Sequence, residues 1–156
     1  MNSSRLNRAL PLAALAFAIA ASACRDLEVV TESYATMKEA IAAGAVERGW
    51  VPRELPAGAR EIREAHDLDS NRRWGLFDFT RSDAETLRAT LATEISLAGQ
   101  TCNPPRRIEW WPIVLRERLD AAQIAATGLR AYSARNGELI FAVNWNQGRA
   151  YYWTKE

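Results

Sequence analysis

The chain has 156 residues, with 20 basic and 19 acidic side chains, a net charge of +1 and a single histidine. A nearly neutral chain without a basic block argues against nucleic acid as a partner, and one histidine excludes most multi-histidine metal sites. Only two cysteines are present, Cys24 and Cys102, so no disulfide framework is expected.

Taken in chain order, residues 1–23 differ from the rest. Arg5 and Arg8 are their only charges, and Ala9 to Ala21 is an apolar run. Spanning a bilayer takes about 20 such residues, more than this run supplies. A basic start, a short apolar stretch and a small-residue end form the anatomy of a secretory signal. The run closes on Ala21-Ser22-Ala23-Cys24. These residues resemble the lipobox of bacterial lipoproteins. That resemblance implies diacylation of Cys24 through its sulfur, cleavage in front of it, and acylation of the new amino group. Ala21 stands where Leu is commonest, and Ala21-Ser22-Ala23 also suits the ordinary signal peptidase, which would leave a soluble periplasmic protein. One acyl chain holds a membrane only marginally, at roughly 0.8 kcal/mol per methylene, whereas two or more hold it stably. The resemblance therefore implies a periplasm-facing protein anchored by lipid to the cell membrane or outer membrane. Arg25 follows the cysteine where an Asp retains enterobacterial lipoproteins at the inner membrane, which leans towards the outer membrane. Without Arg5 and Arg8 the mature chain carries 18 basic and 19 acidic residues, and no basic amphipathic segment offers a second membrane contact.

Residues 24–33 read as the lipidated tether, and 34–156 as one domain, long enough for a single core. Tyr34, Met37, Ile41 and Ala45 fall at helical spacing and predict a helix ending near Gly49. Pro52 and Pro56 exclude regular structure around them. Residues 60–67 fit either a strand or a helix, Asp67 to Asn71 is a turn cluster, and Trp74 to Thr80 reads as a strand, together a hairpin. Ser82 and Glu85 have the spacing of a capping box, with Ala84, Leu87, Leu91 and Ile95 as one apolar stripe ending at Gly99. Residues 100–107 form a loop, and Pro112 makes 108–114 an edge strand or a bend. A short helix then runs through Leu115, Leu119 and Ala122 to Gly128. Asn136-Gly137 joins two strands, and Asn146-Gln147-Gly148 leads to a third. The expected fold is α+β: a C-terminal three-stranded antiparallel meander plus the earlier hairpin, packed on two or three helices.

The candidate sites are few. Asp67, Asp69 and Asn71 place oxygens at alternate positions, with Asp78 twelfth, as a calcium loop would; Arg72 replaces the glycine that such a loop needs, so these residues read first as a hydrated turn, and no metal is expected. His66 lies near Glu64, Asp67 and Asp69 and has the makings of a general base, but no nucleophile elbow accompanies it. No glycine-rich phosphate loop appears, and no cofactor is expected. Cys102 reads as a buried apolar residue. Trp110, Trp111, Trp145, Tyr151 and Trp153 are the candidate ligand-binding residues: they read first as core, with surface recognition of peptidoglycan or an envelope protein as the other outcome. The sequence thus points to a lipid-anchored binding or structural module without catalysis; the alternative is a small envelope hydrolase using carboxylates or His66.

Overall fold

A computed structural model describes residues 29–116 and 119–156; the signal segment and Cys24 lie outside the described residues. Seven strands form one antiparallel sheet: β1 (Val29–Thr36), β2 (Arg60–Asp67), β3 (Arg73–Asp78), β4 (Leu91–Ile95), β5 (Arg130–Ala134), β6 (Leu139–Asn144) and β7 (Arg149–Thr154), in the order β1-β2-β3-β7-β6-β5-β4. Three short helices accompany it: α1 (Met37–Ala42), α2 (Ala84–Thr90) and α3 (Ala121–Ala126). The α+β expectation is therefore wrong. The molecule is mainly β, and its helices are one to two turns long.

The predicted hairpin and meander both form, but they are not separate units. Trp74 pairs with Trp153 and Phe77 with Ala150, so β3 and β7 fuse them into a single sheet. The predicted first helix is mostly strand and turn. Val29 to Thr36 pairs with β2, which draws residues 29–33 of the expected tether into the sheet. Only Met37–Ala42 is helical, capped by the Thr36 hydroxyl, which accepts from the Glu39 N–H. Likewise the apolar stripe behind residue 84 stays helical only to Thr90. Leu91 to Ile95 then pairs with β5, because a sheet edge offers backbone partners that a further marginal helical turn cannot match. The capping box sits two residues upstream of its predicted place: the Thr80 N–H donates to the Asp83 carboxylate at 3.1 Å. Residues 108–114 are turns leading into a 3₁₀ turn at Ile113–Leu115, so the bend forms and the strand does not.

Both faces of the sheet are buried. Leu139, Phe141 and Val143 of β6 meet Tyr34, Ile62, Phe77 and Tyr152 under α1, α2 and the 45–59 loop. Ile140 and Ala142 point the other way, into a cluster with Trp74, Trp111, Trp153, Cys102 and Leu115 that the 97–116 and 119–129 segments cover. The Trp74 indole ties this cover down by donating to the Cys102 carbonyl at 2.8 Å. Cys102 is buried in the cluster, and burial pushes its thiol far above the usual range.

The Asn136-Gly137 turn closes β5 to β6 with Gly137 at φ +78° in open space. Gly137→Ala should therefore cost only the left-handed backbone strain, about 1–2 kcal/mol, read as a small fall in the urea midpoint.

Candidate functional site

Side chains two apart on a strand share a face, so the β2 sequence Glu64-Ala65-His66 sets a carboxyl beside an imidazole. Glu64 Oε2 and His66 Nδ1 lie 2.9 Å apart, with relative exposures of 0% and 3%. In register, Glu64 faces Glu32 on β1 and Gly75 on β3, while His66 faces Arg73. Tyr34 donates its hydroxyl to the Glu32 carboxylate beside the pair.

The 43–51 loop closes over these groups. Trp50 stacks on the His66 ring at 3.7 Å and 15°, and the Arg48 guanidinium lies 4.1 Å over the Trp50 ring. Several bonds hold the loop down. Arg73 donates to the Gly49 carbonyl, the Tyr152 hydroxyl donates to the Trp50 carbonyl at 3.3 Å, and the Trp50 N–H reaches the Ala45 carbonyl at 3.0 Å.

Burial raises the Glu64 acid to about 8, Glu32 pushes it the same way, and Arg48 opposes. His66 is lowered, chiefly by burial. At neutral pH the pair is therefore a protonated carboxyl beside a neutral imidazole. Glu64 Oε1 and His66 Nε2 find no hydrogen-bond partner in the described chain. Nε2 is the atom that would take a substrate proton, and it is sealed from solvent with no hydroxyl or thiol bonded to it.

The other acids named with His66 do not join it. The Asp67 carboxylate accepts from the N–H groups of Asp69 and Ser70 at 2.9 and 3.0 Å, and those backbone bonds hold it below the usual carboxylate range. Asn71 supplies a left-handed φ of +55° at the end of this turn. Asp78, the would-be twelfth calcium ligand, is on β3 and makes a two-pronged pair with Arg149 at 2.6 and 2.9 Å. Asp67, Asp69 and Asn71 thus build a hydrogen-bonded turn. Among the described residues no three acidic, His or Cys side chains converge as metal ligands.

The five aromatic candidates do not form one platform. Trp111 and Trp153 are core residues, packed edge to face at 6.2 Å. Trp110 and Tyr151 are half-buried and set edge-on against Trp111, with Trp110 on the rim of a groove of about 310 Å³ beside Ser33, Ala35 and Arg63. Trp145 packs instead with the cluster on the opposite face of the sheet, edge-on to Phe79 and Tyr132. Its indole donates to the Tyr132 hydroxyl at 3.0 Å, and the Arg88 guanidinium lies 4.1 Å over its ring. Sequence reasoning missed Glu32, Arg48, Trp50 and Arg88. For Glu32 a signal exists, since Glu32-x-Tyr34 and Glu64-x-His66 both carry the strand period; Arg48, Trp50 and Arg88 arrive through long-range packing.

Residues 28–78 match the family described as YbbD head domain. The match covers about a third of the chain, from β1 to β3, and includes Glu32, Tyr34, Arg48, Trp50, Glu64 and His66. The YbbD-head-like segment therefore holds the whole buried polar cluster apart from Tyr152, while Trp145 and Arg88 lie outside it. No curated protein and no solved structure matches the chain.

Proposed function

We propose that this chain is an envelope-associated lipoprotein, exported, cleaved before Cys24 and held by acyl chains at a periplasm-facing membrane surface, where its domain binds rather than catalyses. Ala21-Ser22-Ala23-Cys24 supports the anchor, and the YbbD head domain match supports envelope association. Among the described residues no helix is long and apolar enough to cross a membrane. The observation that carries the non-catalytic reading is the closure of Glu64 and His66. A general base must come within hydrogen-bond reach of a substrate proton, and here Trp50 covers the imidazole at stacking distance.

Intact-mass spectrometry of the protein extracted from its native membrane tests the anchor. The expected mass is that of residues 24–156 plus acyl chains, with Cys24→Ala unacylated and uncleaved at that site. An intact, unmodified N-terminus on wild-type protein that partitions with the envelope would overturn it. For the domain, incubation with a panel of cell-wall and ester substrates should give no turnover. Hydrolysis that His66→Ala abolishes would replace this reading with the hydrolase.

A further inference from the structure

We infer that the groove beside Trp145 binds a carboxylate-bearing glycopeptide of the kind found in cell walls. The choice of cell-wall material rests on the envelope reading above; the chemistry of the groove does not.

A groove of about 650 Å³ opens between α2 and the β6–β7 turn. Phe79 and Trp145 lie at its base, and the turn is pinned there by the Phe79 N–H, which donates to the Gly148 carbonyl at 2.7 Å. Trp145 is fixed in turn by its bond to Tyr132. Arg88 rests over the indole, and Arg81 is exposed in the same lining. Arg81 and Arg88, like several other arginines among the described residues, are in no ion pair, so neither is already engaged by a carboxylate of the chain. Stacking on an aromatic ring orients a guanidinium while leaving its in-plane N–H fork open, and that fork matches the two oxygens of a carboxylate.

The remaining lining narrows the ligand. Glu85 sits in the same groove, so two arginines and one acid leave a single net positive charge. That balance suits one carboxylate better than a phosphate dianion. The side-chain amides of Asn146 and Gln147 stand at the rim, where both donors and acceptors are available to hydroxyl and acetamido groups. The half-buried Trp145 adds apolar surface to the groove wall beside Arg88, against which the C–H groups of a sugar can pack, while Phe79 backs it from the core. A muramyl peptide combines these three features.

The test is calorimetric titration of the full chain, purified in detergent, with muramyl dipeptide, with neutral N,N′-diacetylated chitobiose and with inorganic phosphate. Muramyl dipeptide should bind saturably, and chitobiose at least about ten-fold more weakly. Arg88→Ala should weaken muramyl dipeptide about 10- to 100-fold, the range for losing a two-pronged, charge-assisted contact. Arg88→Lys should recover little of this, since it keeps the charge and loses the fork. Arg88 is exposed and its stacking on Trp145 is worth about 0.5–1 kcal/mol, so the melting temperature should fall by no more than a few degrees in either variant. No saturable binding, equal affinity for chitobiose, full competition by phosphate, or an unaffected Arg88→Ala would each overturn the inference. The titration does not depend on acylation and the mass measurement does not depend on the groove, so failure of either leaves the other standing.

Discussion

Gly75→Ala should destabilise the fold by about 3 kcal/mol, although glycine is ordinarily a poor strand residue. In a strand interior glycine costs roughly 0.5–1 kcal/mol relative to alanine, so an accommodated methyl would stabilise the protein. Gly75 has no positive φ and so no conformational need for glycine. Its need is space: a Cβ there would overlap the ring carbons and hydroxyl of Tyr152, the cross-strand neighbour on β7. Tyr152 cannot step aside. Its ring is fully buried and packs against Phe141 at 6.0 Å, and its hydroxyl is bonded to the Trp50 carbonyl. Overpacking a core typically costs 1–3 kcal/mol, with more where neighbours are pinned. Urea unfolding followed by tryptophan fluorescence measures the loss. Repeating Gly75→Ala on a Tyr152→Leu background should shrink it, since the two positions are in contact and their effects are coupled. An unchanged midpoint for Gly75→Ala alone would mean that β3 and β7 do not meet in this register.

Raising the pH from 6.5 to 8 should cost the native state about 1–2 kcal/mol, and Glu64→Gln should flatten that slope. The folded Glu64 acid titrates near 8, against an ordinary value of 4.5. Between these values the folded chain holds a proton that the unfolded chain has released, so stability falls as pH rises, by at most about 1.4 kcal/mol per pH unit. The contribution is fully present below 4.5 and gone above 8. His66 has the opposite sign. Its folded value lies below 6.5, so it contributes stability above 6.5 that is lost as the pH drops through its folded value. Near 6.5 the unfolded histidine is still half protonated and opposes the Glu64 slope weakly, an effect gone by about 7.5, so Glu64 dominates from 6.5 to 8. Below 6.5 the two slopes oppose each other and a plateau is expected. The groups facing the pair are Glu32 and Tyr34 from β1, Arg73 from β3, Tyr152 from β7 and Arg48 from the covering loop. Both tyrosines are raised by burial and titrate above this window, as does Cys102. Thermal melts at half-unit pH steps read the effect. A wild-type melting temperature that is flat or rising from pH 6.5 to 8 would show that Glu64 is already ionised in the fold.

Local signals were reliable wherever a few adjacent residues settle the geometry. Asp67 to Asn71, Asn136-Gly137 and Asn146 to Gly148 all turn the chain where their side-chain oxygens and glycines require it. The strands they connect follow from alternation. A helical period misleads where the residues that carry it have their partners far away in sequence. Tyr34 and Met37 share one spacing but belong to a strand and a helix, and so do Leu87 and Leu91. A two-turn helix is marginal alone, so the free edge of a neighbouring strand decides the outcome.

The same division holds for the sites. Glu64 and His66 stand together because strand geometry puts i and i+2 on one face, and this is legible from the sequence. Their burial is not. Trp50 arrives from an irregular loop held by Arg73 and Tyr152, and it changes an apparent general base into a closed pair. Trp145 was visible as an aromatic, but only the crossing of α2 lays Arg88 on its ring, and only the fused sheet separates it from Trp111 and Trp153. The sequence by itself determined the turns and the strand alternation, because each depends on neighbours a few bonds apart. Tertiary structure alone decided that the sheet is single and covered on both faces, and therefore which polar groups are sealed and which arginines face solvent. Burial is a property of what packs on top, and in this chain that cover comes from segments tens of residues away.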